Sequence, residues 1–134
     1  MIEDTLSYRL LKAMKATRPS IWPVLAQLGL HPGQDLLLSE LWREDGISQA
    51  ELVARLGVEA PTVSKALQRL ERAGYVRREA GTGRQRLVLL TDEGQRLREP
   101  VERAWQQADE DVAAKLGPED RGRLAELLER LTQG

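Results

Sequence analysis

Residues 47–91 read ISQAELVARLGVEAPTVSKALQRLERAGYVRREAGTGRQRLVLLT, and the order of signals in that stretch decides the fold. Ser48, Gln49, Ala50 and Glu51 form a capping box, in which the Ser48 hydroxyl accepts an orphan N–H while Glu51 reaches back. Leu52, Val53 and Leu56 give the helix that follows an apolar stripe, and Gly57 stands where a positive φ can end it. A second helix is predicted to begin between Glu59 and Pro61 and to run to about Ala73, because Pro61 suits a first turn. Gly74 stops it. Two short apolar runs, Tyr75 with Val76 and then residues 87–90, flank a basic stretch with Gly81 and Gly83 near its middle, the pattern of a β-hairpin.

Projected at roughly 100° per residue, the second helix places Val63, Ala66, Leu67 and Leu70 on one face. The opposite strip carries Pro61, Lys65, Gln68 and Arg72, flanked by Thr62, Ser64 and Arg69. No acid stands on that strip, and the side chains there donate hydrogen bonds to phosphates and base edges. Taken alone, the helix also reads as an ordinary amphipathic surface helix, and the hairpin with Arg77, Arg78, Arg84 and Arg86 as a solvated charged turn. In succession they read as a recognition helix for the DNA major groove and a wing that grips sugar and phosphate. Thr62, Ser64, Lys65 and Gln68 are expected at base edges or nearby phosphates, with Arg69 and Arg72 as phosphate clamps. Which of Arg77, Arg78 and Arg86 face the DNA depends on strand register.

Charge along the chain follows the same division. Residues 1–47 carry a net charge of -1, residues 48–91 carry +4 and residues 92–134 carry -4. The whole-chain pI near 5.9 would argue against a nucleic-acid partner. The local field, concentrated where the contacts are expected, is what steers association.

The chain has 134 residues, enough for one domain with a core. It has no cysteine, which excludes disulfides, thiolate metal sites and thiol redox sensing. No run approaches the ~20 apolar residues that span a bilayer, and the start lacks a signal-peptide pattern, so the expected location is cytoplasmic. Enzymatic activity is not expected: there is one histidine, no phosphate-binding glycine loop and no histidine–carboxylate cluster at metal spacing. No metal and no cofactor are therefore expected. Asp109, Glu110 and Asp111 point in different directions on a helix and read as a solvated acidic face.

The flanks read as helices. Leu6, Leu10, Leu11 and Met14 recur at helical spacing between Ile2 and Thr17. Ser20 is expected to cap a short helix through Leu28, closed by Gly29, and a further helix is expected from Gln34 to Arg43. Beyond the hairpin, Thr91 caps a long helix with Asp92 and Glu93 in its first turn, where the macrodipole favours anions. Pro100 should bend that helix, Gly117 and Pro118 should end it, and a last amphipathic helix should span about Glu119 to Leu131. The leucines of both end helices are expected to be covered in a symmetric dimer, which also duplicates the recognition helix. A monomer whose ends fold back on the core is the alternative.

These residues together resemble the MarR family of bacterial and archaeal transcription regulators. The resemblance rests on Gly29, Leu30, His31, Pro32, Gly33 and Gln34, on 48–58, and on Thr62, Val63, Ser64 and Lys65 with Leu67, Leu70, Glu71, Gly74, Val76 and Arg78. Val88, Leu90, Thr91, Glu93 and Gly94 complete it. It implies a mainly α fold with a small β-wing, a single domain over 1–134 whose residues 30–91 form a winged helix-turn-helix lobe, and dimerisation helices at 1–18 and 95–134. It further implies a homodimer on a pseudo-palindromic double-stranded DNA operator, often a repressor relieved by a small aromatic or anionic effector. The family's effector pocket directs attention to Met14, Arg18, Trp22 and His31, for which packing, a turn or plain solvation are the alternatives. Arg84 matches the family's wing-tip arginine that enters the minor groove, while Thr82 stands where relatives commonly carry the aspartate that orients it. The rival reading is a winged helix that binds an acidic protein rather than DNA. The polar strip of the second helix disfavours it, since a protein-binding face should show apolar anchors.

Overall fold

The computed structural model describes residues 1–133. It divides into two compact units, residues 24–101 and residues 1–23 with 102–134.

The unit of residues 24–101 holds nearly all of the buried side chains. Helix α2 (Trp22–Gln27) leads into it and α3 follows (Gln34–Arg43), at the bounds its periodicity predicts. A two-residue strand β1 (Ile47–Ser48) precedes α4 (Gln49–Leu56) and α5 (Ala60–Arg72). Strands β2 (Val76–Ala80) and β3 (Arg86–Leu90) then form the hairpin, and α6 (Asp92–Arg96) comes after it. The core is built from Leu25, Leu38, Leu41, Leu52, Leu67 and Val88, all 0 % exposed, with Val63, Leu70 and Val76 beside them. α5 buries Val63, Leu67 and Leu70, the face that its spacing predicts.

The sheet has three strands in the order β1-β3-β2, where the sequence predicts only a hairpin. Ile47 pairs with Val88 and Ser48 with Leu87, so β3 is central. Two residues are too few to show alternation, which is why this strand leaves no signal in the sequence. Asp45 fixes the edge of the arrangement: its carboxylate accepts from the backbone N–H of both Gly46 (3.0 Å) and Leu90 (2.9 Å).

The cap at Ser48 forms in part. Its hydroxyl accepts from the Glu51 N–H at 3.1 Å, but the Glu51 carboxylate turns to Arg55 instead of reaching back. Arg55 lies among Glu40, Glu44 and Glu51, and its hydrogen bond to Glu44, then that to Glu51, raises its pKa still further above the ordinary value. Ser20 also departs from expectation. It donates to the Thr17 carbonyl within a 3-10 turn over Arg18–Ile21, and α2 begins after that turn.

The long helix expected after the wing is two helices, α6 and α7 (Arg98–Leu116). The break falls at Leu97, because Pro100 lacks the N–H that would reach the Arg96 carbonyl and its ring crowds that turn. The division between the units passes through α7.

The other unit contains α1 (Leu6–Thr17), most of α7 and α8 (Pro118–Thr132). Thr5 caps α1, so regular helix starts after a 3-10 turn at Ile2–Asp4 and not at Ile2. Gly117, at φ 85°, turns the chain between α7 and α8, and Arg121 binds Asp109 across that turn. Leu6, Leu10, Leu11 and Met14 on α1, and Leu124, Leu127, Leu128 and Leu131 on α8, are all exposed in the single chain.

Candidate nucleic-acid interface

Helix α5 presents its polar face because three apolar side chains hold the other one down. Pro61, Thr62, Lys65, Gln68, Arg69 and Arg72 are exposed, and Ser64 is half-buried. Glu59 precedes the helix with extended backbone and supplies no side-chain cap, and Pro61 lies in the first turn. Pro61 has no N–H, and the Thr62 N–H donates to the Glu59 carbonyl at 3.0 Å.

In the wing, strand register settles where each arginine points. Val76 opposes Leu90, Arg78 opposes Val88 and Ala80 opposes Arg86, all on the face that carries buried Val76, Val88 and Leu90. Arg77 opposes Leu89 on the other face and donates to the Glu79 carboxylate at 3.2 Å. Arg78 is half-buried, and its Nη1 donates to Gln49 Oε1 at 2.7 Å. Arg84 and Arg86 are exposed; Arg84 lies in the tight turn closed by Gly81 N–H to Gln85 O and Gln85 N–H to Thr82 O, with Gly83 at φ 66°. Both arginines line an open hollow of about 430 Å³ with Ser48, Gln49 and Ala50 at the start of α4.

Among the described residues, no carboxylate pairs with Lys65, Arg69, Arg72, Arg84 or Arg86. By contrast, Arg55 and Arg77 of the same stretch are neutralised by neighbouring glutamates. Within residues 48–91, the exposed cations without a carboxylate partner are thus those of the α5 face and the wing tip. Gln49 was not singled out by its sequence, since a glutamine at the start of a helix carries no signal until the strand that faces it is known.

The four effector-site candidates fall in different units. His31 lies in the loop before α3, where its N–H donates to the Gln34 side chain; it lines a hollow of about 320 Å³ with Leu36, Val58, Thr62, Lys65 and Arg69. Met14 and Trp22 are exposed on the other unit, and the Arg18 guanidinium stands 5.1 Å from the centre of the Trp105 ring. Among the described residues no group of three or more His, Cys, Asp or Glu side chains could hold a metal ion, and no helix is long and apolar enough to cross a membrane.

A helix-turn-helix followed by a short antiparallel ribbon is the winged-helix arrangement of DNA-reading regulators. The chain belongs to the MarR family, whose sequence profile matches residues 19–86. It is 32% identical over 110 residues to the uncharacterized HTH-type transcriptional regulator YwoH of Bacillus subtilis, covering 81% of this chain and 80% of that one. It is 31% identical over 128 residues to the HTH-type transcriptional repressor Rv2887 of Mycobacterium tuberculosis, covering 94% and 92%. The crystal structure of Rv2887 in complex with DNA matches with a TM-score of 0.80 at 29% identity, over 96% of this chain and 98% of that one. The structure of Rv2887 with salicylic acid matches with a TM-score of 0.77 at 30% identity, over 98% and 99%. The relatives are transcriptional regulators and not enzymes.

Proposed function

We propose that the chain is a sequence-specific DNA-binding regulator that works in the cytoplasm as a homodimer on a pseudo-palindromic operator, as a repressor relieved by a small aromatic or anionic effector. Helix α5 enters the major groove, with Thr62, Ser64, Lys65 and Gln68 at base edges or nearby phosphates and Arg69 and Arg72 clamping the backbone. Arg84 reaches the adjacent minor groove, and Arg86 follows the backbone beside it. Residues 30–91 form the reading lobe, and the helices of 1–18 and 95–134 join two copies.

The observation that carries the reading is the set of unpaired cations on α5 and the wing tip of a chain with net charge -1. A solvated surface helix would gain from interspersed acids, which this face lacks. Support for repression and for an effector comes from Rv2887, named a repressor and crystallised both with DNA and with salicylic acid.

Selection of bound sequences from a random duplex pool tests it. A two-fold symmetric motif with half-sites about ten base pairs apart is expected. Absence of enrichment, or an unsymmetrical single motif, contradicts it. Titration of salicylate into the operator complex is expected to release the DNA.

A further inference from the structure

Arg78 differs from the other cations of the wing. It points inward from β2, in register with buried Val88, and one guanidinium nitrogen is committed to Gln49 while its Nε is buried with no hydrogen-bond partner. No carboxylate pairs with it among the described residues. A half-buried charge without an acid contributes little to stability for its desolvation. What this one does is connect.

Gln49 is the first residue of α4, directly after β1, and β1 pairs with β3 through Ile47 and Val88. Val88 therefore has Ile47 on one side and Arg78 on the other. The charge-assisted bond from Arg78 to Gln49 spans the central strand, a reach of about two interstrand spacings of ~4.8 Å. Past Ser48 the wing is only a two-stranded ribbon, which has marginal rigidity of its own. At its tip Arg84 has no side-chain hydrogen bond or ion pair among the described residues, and Thr82 offers it no carboxylate.

We propose that Gln49 is a positioning residue: through Arg78 it ties β2 to the first helix of the helix-turn-helix, and so sets the attitude of the wing and the place of Arg84 relative to α5. The tie does at the root of the wing what an acid beside Arg84 would do at the tip. This rests on the reading of α5 and the wing as DNA contacts.

The test uses the full chain with Gln49→Ala, Arg78→Gln and Arg84→Ala, singly and in pairs, titrated against the selected duplex over a range of salt. Amide hydrogen exchange of residues 81–85 is measured in the free protein. Gln49→Ala is expected to weaken binding about tenfold, the scale of a hydrogen bond to a charged group. Its logarithmic salt slope should stay unchanged, since no phosphate contact is removed. Arg84→Ala should cost less in the Gln49→Ala background than alone, and exchange at the wing tip should rise with the thermal midpoint unaltered. Should Gln49→Ala not fold, Gln49→Asn, whose amide is too short to reach, takes its place with the same expectations.

Wild-type affinity in Gln49→Ala overturns the proposal, as does a general loss with a lowered midpoint and an undiminished Arg84→Ala cost. Arg78→Gln lowering the salt slope by about one unit also overturns it, because Arg78 is then itself a phosphate contact. If the wild-type chain binds no duplex, the DNA reading fails by itself and hydrogen exchange alone decides the tie: faster exchange in Gln49→Ala sustains it and unchanged exchange ends it.

Discussion

Gly94 packs on the backbone of Tyr75 so closely that a Cβ built on it would stand 2.1 Å from the Tyr75 carbonyl oxygen. That same carbonyl accepts the Thr91 N–H at 3.1 Å, and the Thr91 hydroxyl accepts from the Gly94 N–H while donating to the Gly74 carbonyl. Trp42 closes the junction from α3, its indole N–H donating to the Gly94 carbonyl at 3.0 Å. The end of the recognition helix, the end of the wing and the start of α6 are thereby fastened at one point. Backbone on the opposing side cannot yield as a side chain can. Gly94→Ala is expected to cost about 2–3 kcal/mol in urea unfolding, the upper range for overpacking; a loss under about 0.5 kcal/mol would show that α6 shifts freely.

Much of this was legible in the sequence, for reasons that differ from residue to residue. The apolar face of α5 follows from the spacing of Val63, Leu67 and Leu70, and the stop at Gly74 from its positive φ of 87°. Long-range relations were not legible. Ile47 and Ser48 become a strand only because Val88 lies beside them, and Gln49 gains a partner only through the register that turns Arg78 inward. The break at Leu97 was signalled by Pro100 but placed too softly, as a bend within one helix. The wing arginines looked alike in sequence because alternation on a short ribbon has no meaning until pairing fixes which residue opposes which.

Thr82 stands two residues before Arg84 in the wing turn, without the charge that would restrain the guanidinium. Ordering a free arginine on binding costs about 0.5–1.5 kcal/mol. Thr82→Asp is expected to lessen that cost and tighten operator binding several-fold at fixed salt. Unchanged or weaker binding in a fluorescence titration counts against it, and would mean that the added negative charge near phosphate outweighs the restraint.

Arg84 and Gln68 are assigned different kinds of contact, and salt separates them. Arg84→Ala should weaken operator and random duplex alike and reduce the logarithmic salt slope by about one unit. Gln68→Ala should leave the slope as it was and lose about 1–3 kcal/mol on the operator alone, relaxing the preference at one base position in each half-site. Equal losses on specific and random DNA would remove Gln68 from base reading.

The exposed leucines of α1 and α8 set the remaining expectation. Leu127, 47% exposed in the single chain, shares a helix face with Leu124, Leu128 and Leu131. A fully buried leucine is worth about 1.5–3 kcal/mol, and a charge in its place adds a desolvation cost. Leu127→Glu is expected to raise the dimer dissociation constant by at least about tenfold in sedimentation equilibrium, with helical content in circular dichroism unchanged. Operator affinity should fall in step, because a monomer reads one half-site and forfeits the second, while binding to an isolated half-site stays as in the wild type. A wild-type chain that sediments as a monomer at micromolar concentration, or a Leu127→Glu variant that dimerises undiminished, would place the joining surface elsewhere and leave these leucines without a role in operator binding.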